Sequence, residues 1–156
     1  MAVVVRAYIA LGANLGDAQG YVRAAMDQVA RLPQTQLVAA SSLYRTAPVD
    51  SSGPDYINAV MAVDTGLTAA ELLQAMQQIE LQAGRERPYR NAPRTLDLDL
   101  LMYGELVQED AALTLPHPRM FQRAFVLVPL HEIAPGLVTG AQLAAMADQG
   151  IERIPG

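Results

Sequence analysis

The sequence predicts an α+β fold, with helices packed over a mainly antiparallel sheet. Three observations point there. Segments of strand period and of helical period alternate along the 156 residues. Two strand-like segments, Gln36–Arg45 and Tyr56–Thr65, follow each other across a short loop, which excludes a purely parallel doubly wound sheet. Apolar residues make up 51% of the chain and charged residues 17%, enough apolar surface for a core and too little charge for disorder. A chain of this length predicts one domain over residues 1–156.

The elements follow in order. Val3–Leu11 is β-branched and apolar on both faces, as in a strand covered on both sides. Gly12–Gly16 reads as a break. Asp17 then caps a helix to about Leu32, with Val22, Ala25, Met26, Val29 and Leu32 on one face and Pro33 after it. Gln36–Arg45 reads as a strand, Thr46–Pro54 as a loop, and Tyr56–Thr65 as a strand pairing with the one before. Thr68 and Glu71 form a capping box, and the helix behind them buries Leu72, Met76, Ile79 and Ala83 before Gly84 stops it. A polar loop, Arg85–Pro93, leads to a strand over Thr95–Tyr103. There Leu96, Leu98, Leu100 and Met102 face one way, and Thr95, Asp97, Asp99 and Leu101 the other. Leu113–Leu115 is short and extended. Helices over Ala124–Ile133 and Gln142–Gln149 finish the chain. The whole pattern is of ferredoxin-like kind.

Composition excludes several classes of function. There is no cysteine, so no disulfide scaffold, thiolate zinc site or Cys nucleophile. All 11 basic residues are Arg, so no P-loop or Schiff-base lysine exists, and anions must be bound by Arg forks or backbone N–H groups. A net charge of −5 and an aromatic content of 5% argue against nucleic-acid and membrane-surface partners. The N-terminus lacks a signal-peptide pattern, and apolar runs fall short of the ~18 residues of a membrane span, so a cytoplasmic protein is expected.

The strongest chemical signal is Arg94-Thr-Leu-Asp97-Leu-Asp99. On a strand the two carboxylates project from one face, about 6.5–7 Å apart. They repel unless solvated or neutralised, and a divalent cation with oxygen ligands would neutralise them. A solvated strand face is the plainer alternative. Arg85, Arg87, Arg90 and Arg94 lie just ahead of the pair. Carboxylates for a metal and Arg for phosphate oxygens are what phosphoryl transfer needs, although the same charges could form an ion-pair network. His117, held between Pro116 and Pro118, could donate to a phosphate, ligate a metal or cap a turn, with Arg123 six residues on. Tyr56 and Asn58 share a strand face and suit a flat heterocycle, or ordinary packing. Gly12–Gly16 is not a P-loop, and its glycines read as turn residues.

Together these segments resemble the 6-hydroxymethyl-7,8-dihydropterin pyrophosphokinase family. The matching pieces are Ala7–Gly16, Ser42–Pro48, Pro54–Asn58, Ile79–Arg85 and Pro93–Leu100, then Leu115–His117, Arg123–Phe125 and Pro129–Pro135. The resemblance covers nearly the whole chain in order, and implies pyrophosphoryl transfer from MgATP to the pterin hydroxymethyl group, with AMP as coproduct. It implies that Asp97 and Asp99 hold two Mg2+ ions, with Asp97 also near the substrate hydroxyl. Arg85 and Arg94 would close over the triphosphate. Gln77, Glu80, Arg87, Leu100, Thr114, His117 and Arg123 would surround ATP. Tyr56 and Phe125 would sandwich the pterin, and Thr46, Pro48, Val49 and Asn58 would supply its backbone and amide contacts. A monomer is expected. Three positions depart from the common bacterial pattern: Asn91 where a Trp is frequent, Ala47 for a Pro, and Pro118 for an aromatic.

Overall fold

A computed structural model describes residues 4–47, 55–83, 96–110 and 113–155. Strand β1 (Val5–Ala13) leads to helix α1 (Ala18–Ala30). Strands β2 (Thr35–Ala40), β3 (Tyr44–Thr46) and β4 (Tyr56–Thr65) follow, then α2 (Ala69–Ala83) and β5 (Asp97–Tyr103). A small hairpin, β6 (Gln108–Glu109) with β7 (Thr114–Leu115), precedes α3 (Ala124–Ile133), α4 (Gly140–Ala145) and a last short strand, β8 (Glu152–Arg153).

The main sheet runs β5-β1-β4-β3-β8, with β2 also paired to β4, and its pairings are antiparallel. Two βα units fold back onto one face, which is the ferredoxin-like arrangement with an added edge strand. Ile9, Leu11, Met61 and Leu98 pack on that face against Val22, Val29, Leu72 and Met76. On the opposite face Ala10, Val60 and Leu101 meet Met120, Val126, Leu127 and Leu130. β1 and β4 are therefore buried on both sides, which explains their unbroken apolar runs. Fully burying a side chain such as Leu72 or Leu127 contributes about 1.5–3 kcal/mol. Among the described residues, no helix is long and apolar enough to cross a membrane.

Both predicted caps form. Asp17 accepts from the Gly20 N–H at 3.1 Å, and Thr68 and Glu71 exchange bonds at 3.1 and 2.8 Å. Four expectations need correction. β1 runs through Gly12 and Ala13 instead of ending at Leu11, because both residues pair with β4. The single strand expected over Gln36–Arg45 is two, β2 and β3. The Ser41 N–H still donates to the Val60 carbonyl, but the Ser41 hydroxyl takes the Val60 N–H at 2.9 Å and donates to the Ser42 carbonyl, so one side chain substitutes for half of the ladder there. In β5 the period-two pattern breaks at a bulge opposite Tyr8/Ile9. Met102 consequently joins Leu101 on the α3 face, and Tyr103 takes the core-facing place. The last helix starts at Gly140 and not at Gln142, because Thr139 and Gln142 themselves form its capping box.

Candidate active site

The site is built on the α3 face of the sheet, where three strands place polar residues in one row. Tyr44 of β3 pairs with Asn58 of β4, Asn58 with Gly12 of β1, and Gly12 with Asp97 of β5. The next row on that face is Val60, Ala10 and Asp99. Asp97 and Asp99 thus share a face, as their spacing predicts, while Leu98 and Leu100 point into the opposite core.

Gly12 has no side chain where one would sit tightly against a neighbour. Its φ is not in the left-handed region, so the backbone would accept other residues. A Cβ there would lie 3.1 Å from Asn58 Nδ2. Glycine here keeps the space above the sheet open, and does not serve the turn expected of it.

The Asn58 amide is itself held. It is buried, and its Oδ1 accepts from the Thr46 hydroxyl at 2.8 Å. Thr46 pairs with Tyr56, so Thr46, Tyr56 and Asn58 form one local group at the β3–β4 end of the row.

At the other end, His117 reaches Asp99. Its backbone N–H donates to the Leu101 carbonyl at 2.9 Å, which ties the Pro-His-Pro segment to β5. The Leu115–Pro116 peptide is cis. His117 Nδ1 accepts from the Arg119 N–H at 3.2 Å, so the neutral ring carries its proton on Nε2, 3.9 Å from Asp99 Oδ1. Burial lowers the imidazole pKa. The Asp99 carboxylate opposes that, Arg123 and Arg119 add to it, and the net shift is downward. The His117–Asp99 contact is accordingly not an ion pair at neutral pH. The Arg123 guanidinium sits 5.3 Å from the centroid of the Phe125 ring, a cation–π arrangement at the start of α3.

Other predicted residues lie further out. The Glu80 carboxylate accepts the Leu98 N–H at 2.8 Å and so braces β5 against α2. Gln77 is exposed one turn before it. The Leu100 side chain is 3% exposed, within the α1–α2 core on the sheet face opposite Asp97 and Asp99. Thr114 is half-buried in the β6–β7 hairpin. Pro48, Val49, Arg85, Arg87, Arg90, Asn91 and Arg94 lie outside the described residues.

Sequence reasoning passed over one residue with many contacts. Glu132, in the last turn of α3, accepts from the Ser42 N–H at 3.0 and 3.1 Å, the Ser42 hydroxyl at 2.9 Å and the Tyr44 hydroxyl at 2.6 Å. Arg153 of β8 stands 3.9 Å away. The signals for Glu132 in the sequence are its place in the Pro129–Pro135 piece of the resemblance and a lone carboxylate in a mostly apolar helix.

Among the described residues, no three Asp, Glu or His side chains converge as a closed metal cage. What is present is an open pair of carboxylates, with the Asp99 side chain 46% exposed. That donor set fits a hard cation of the Mg2+ type, which takes one or two carboxylates and completes its shell with water and phosphate oxygens.

A family model described as 7,8-dihydro-6-hydroxymethylpterin-pyrophosphokinase matches residues 8–135. The chain is 45% identical to the 2-amino-4-hydroxy-6-hydroxymethyldihydropteridine pyrophosphokinase of Pseudomonas aeruginosa, over 99% of each chain. It is 39% identical to the Bacillus subtilis enzyme of the same name, over 93% of this chain and 87% of that one. The crystal structure of wild-type Plasmodium falciparum HPPK-DHPS with STZ-DHP shares the fold, with a TM-score of 0.67 at 12% identity over 96% of this chain. The present chain spans 43% of that longer one. A family model matched along most of the chain and relatives this similar over most of their length establish that the chain belongs to the 7,8-dihydro-6-hydroxymethylpterin-pyrophosphokinase family.

Proposed function

We propose that the row from Asn58 across Gly12 to Asp97 is where the pterin ring and the reacting phosphate meet. The chain is a pyrophosphokinase of folate biosynthesis, moving pyrophosphate from ATP to 6-hydroxymethyl-7,8-dihydropterin. The observation supporting the site is that one sheet row holds an oriented amide, a side-chain-free floor and a carboxylate.

On this reading Tyr56 and Phe125 hold the ring by its faces, and Asn58 reads its edge. The substrate hydroxyl then lies beside Asp97. Its oxygen bonds to the β-phosphorus of ATP, the bond from that phosphorus to the α–β bridging oxygen breaks, and AMP departs. We assign the hydroxyl proton to the Asp97 carboxylate. Asp97 and Asp99 would hold the two magnesium ions of the reaction, which neutralise phosphate charge. His117, donating through Nε2–H, and Arg123 would bind phosphate oxygens. Arg85, Arg87 and Arg94 would add charge around the triphosphate, with Gln77, Glu80, Leu100 and Thr114 lining the nucleotide. Pro48 and Val49 would complete the pterin contacts. No covalent intermediate is involved, so catalysis rests on alignment and electrostatic stabilisation. The chain would act as a monomeric single domain in the cytoplasm.

The test is an assay with ATP, Mg2+ and 6-hydroxymethyl-7,8-dihydropterin, following nucleotide products. Release of AMP with a pterin diphosphate is expected. Release of pyrophosphate would make the chain a nucleotidyltransferase, and no turnover with ligand binding intact would make it a binding module.

A further inference from the structure

We infer that Glu132 is a positioning residue for the pterin slot, tying the strand that carries Thr46 to the helix that carries Phe125. This rests on the proposed placement of the ring between those elements.

Glu132 and Phe125 are seven residues apart on α3, hence on the same side of the helix and about 10 Å apart along its axis. Tyr44 and Thr46 are two residues apart on β3 and share a sheet face. At one end, the Glu132 carboxylate holds Tyr44 and Ser42 through four hydrogen-bond contacts. From that anchor β3 advances to Thr46 while α3 reaches back to Phe125. The anchor therefore adds a polar tie between two walls of the slot, beside the apolar packing of α3 on β4. It also sits one strand from the Asn58 amide, since Tyr44 pairs with Asn58 and Thr46 orients it. Arg153 of β8 approaches the same carboxylate, and β8 pairs with β3, so the chain's last strand braces the same wall. β3 is short, three residues paired with β4 on one side and with β8 on the other, so the Glu132 carboxylate adds to the sheet pairing a tie from this wall to α3.

The experiment compares Glu132→Ala, Glu132→Gln and Tyr44→Phe with the unaltered chain, well below each melting temperature. Dissociation constants are measured separately for 6-hydroxymethyl-7,8-dihydropterin and for a non-hydrolysable ATP analogue, with kcat and KM alongside. Glu132→Ala should weaken pterin binding about tenfold and change ATP-analogue binding by less than roughly twofold. Glu132→Gln, which keeps one acceptor oxygen, should fall between. Should Glu132→Ala not fold, Tyr44→Phe removes a single hydroxyl and should show the same split at smaller size. Equal weakening of both ligands, or of neither, would reduce Glu132 to a stability role and overturn the inference. Phe125→Ala separates the two levels. If it weakens the pterin while the Glu132 and Tyr44 variants do not, the inference alone fails. If it leaves pterin binding unchanged, the slot itself is wrongly placed and the inference falls with it.

Discussion

Asn58 and Asp97 stand on either side of Gly12, each paired with it across the sheet. Their strands are two spacings apart, about 9.5 Å, so a flat ring and its hydroxyl can span from amide to carboxylate over bare backbone. Gly12→Ala should press on the Asn58 amide, because the new Cβ would lie 3.1 Å from Nδ2. Pterin affinity should fall about tenfold, a loss near 1.4 kcal/mol. The fold should hold, as the backbone conformation suits alanine. Titration calorimetry checks this, and unchanged pterin binding would show that the ring does not lie over Gly12.

Asp97→Asn and Asp99→Asn should fold normally, since both residues are only partly buried on the cleft side. Turnover should drop on the order of 10^2–10^4-fold, the scale of losing a key electrostatic group. Steady-state assays across a Mg2+ series decide it. Near-normal rates for either variant at ordinary Mg2+ would remove that carboxylate from the metal site.

Arg85→Ala and Arg94→Ala should lower the rate of the chemical step more than they weaken ATP binding, if the two guanidiniums act on charge that develops during transfer. Rapid-quench kinetics set against nucleotide dissociation constants give the answer. Weaker ATP binding with an unchanged chemical step would assign them to binding alone.

The Tyr44–Glu132 bond makes stability depend on pH at both extremes. Burial of the Tyr44 phenol, and its hydrogen bond to the Glu132 carboxylate, push its pKa up to about 12 from 10.0. That contribution is whole below pH 10 and disappears as pH rises towards 12. Burial works against the Glu132 charge, yet the bonds from Tyr44 and Ser42, with Arg153 nearby, hold its pKa below 4.5. Its contribution is present above that value and disappears as pH falls through the lower folded value. Urea melts should therefore show Tyr44→Phe less stable than the parent at pH 8, with the gap closing above pH 10. Glu132→Gln should show a gap that closes in acid. A gap constant with pH would mean that these groups do not titrate as a pair.

Thr68→Ala should cost about 1 kcal/mol of folding stability, because it removes one half of the α2 capping box. Chemical denaturation at neutral pH measures it, and catalysis should be unaffected.

Much of this was legible in order of residues alone. The alternation of periods gave the α+β class, β4 and α3 to the residue, and the shared face of Asp97 and Asp99. Those features depend on spacing along one strand or one helix turn, which the chain carries locally. The motif sequence likewise carried the family. Tertiary structure decided what depends on which strands become neighbours. Gly12 looked like a turn residue until β1 paired with both β4 and β5, which put it between Asn58 and Asp97. The bulge in β5 that moves Met102 to the α3 face arises only against Tyr8 and Ile9. Glu132 lay in a motif of the family resemblance with no role assigned until α3 folded onto Ser42 and Tyr44, 90 and 88 residues earlier. Hydrogen-bond partners that distant are chosen by the packing of whole elements, and no local pattern encodes them.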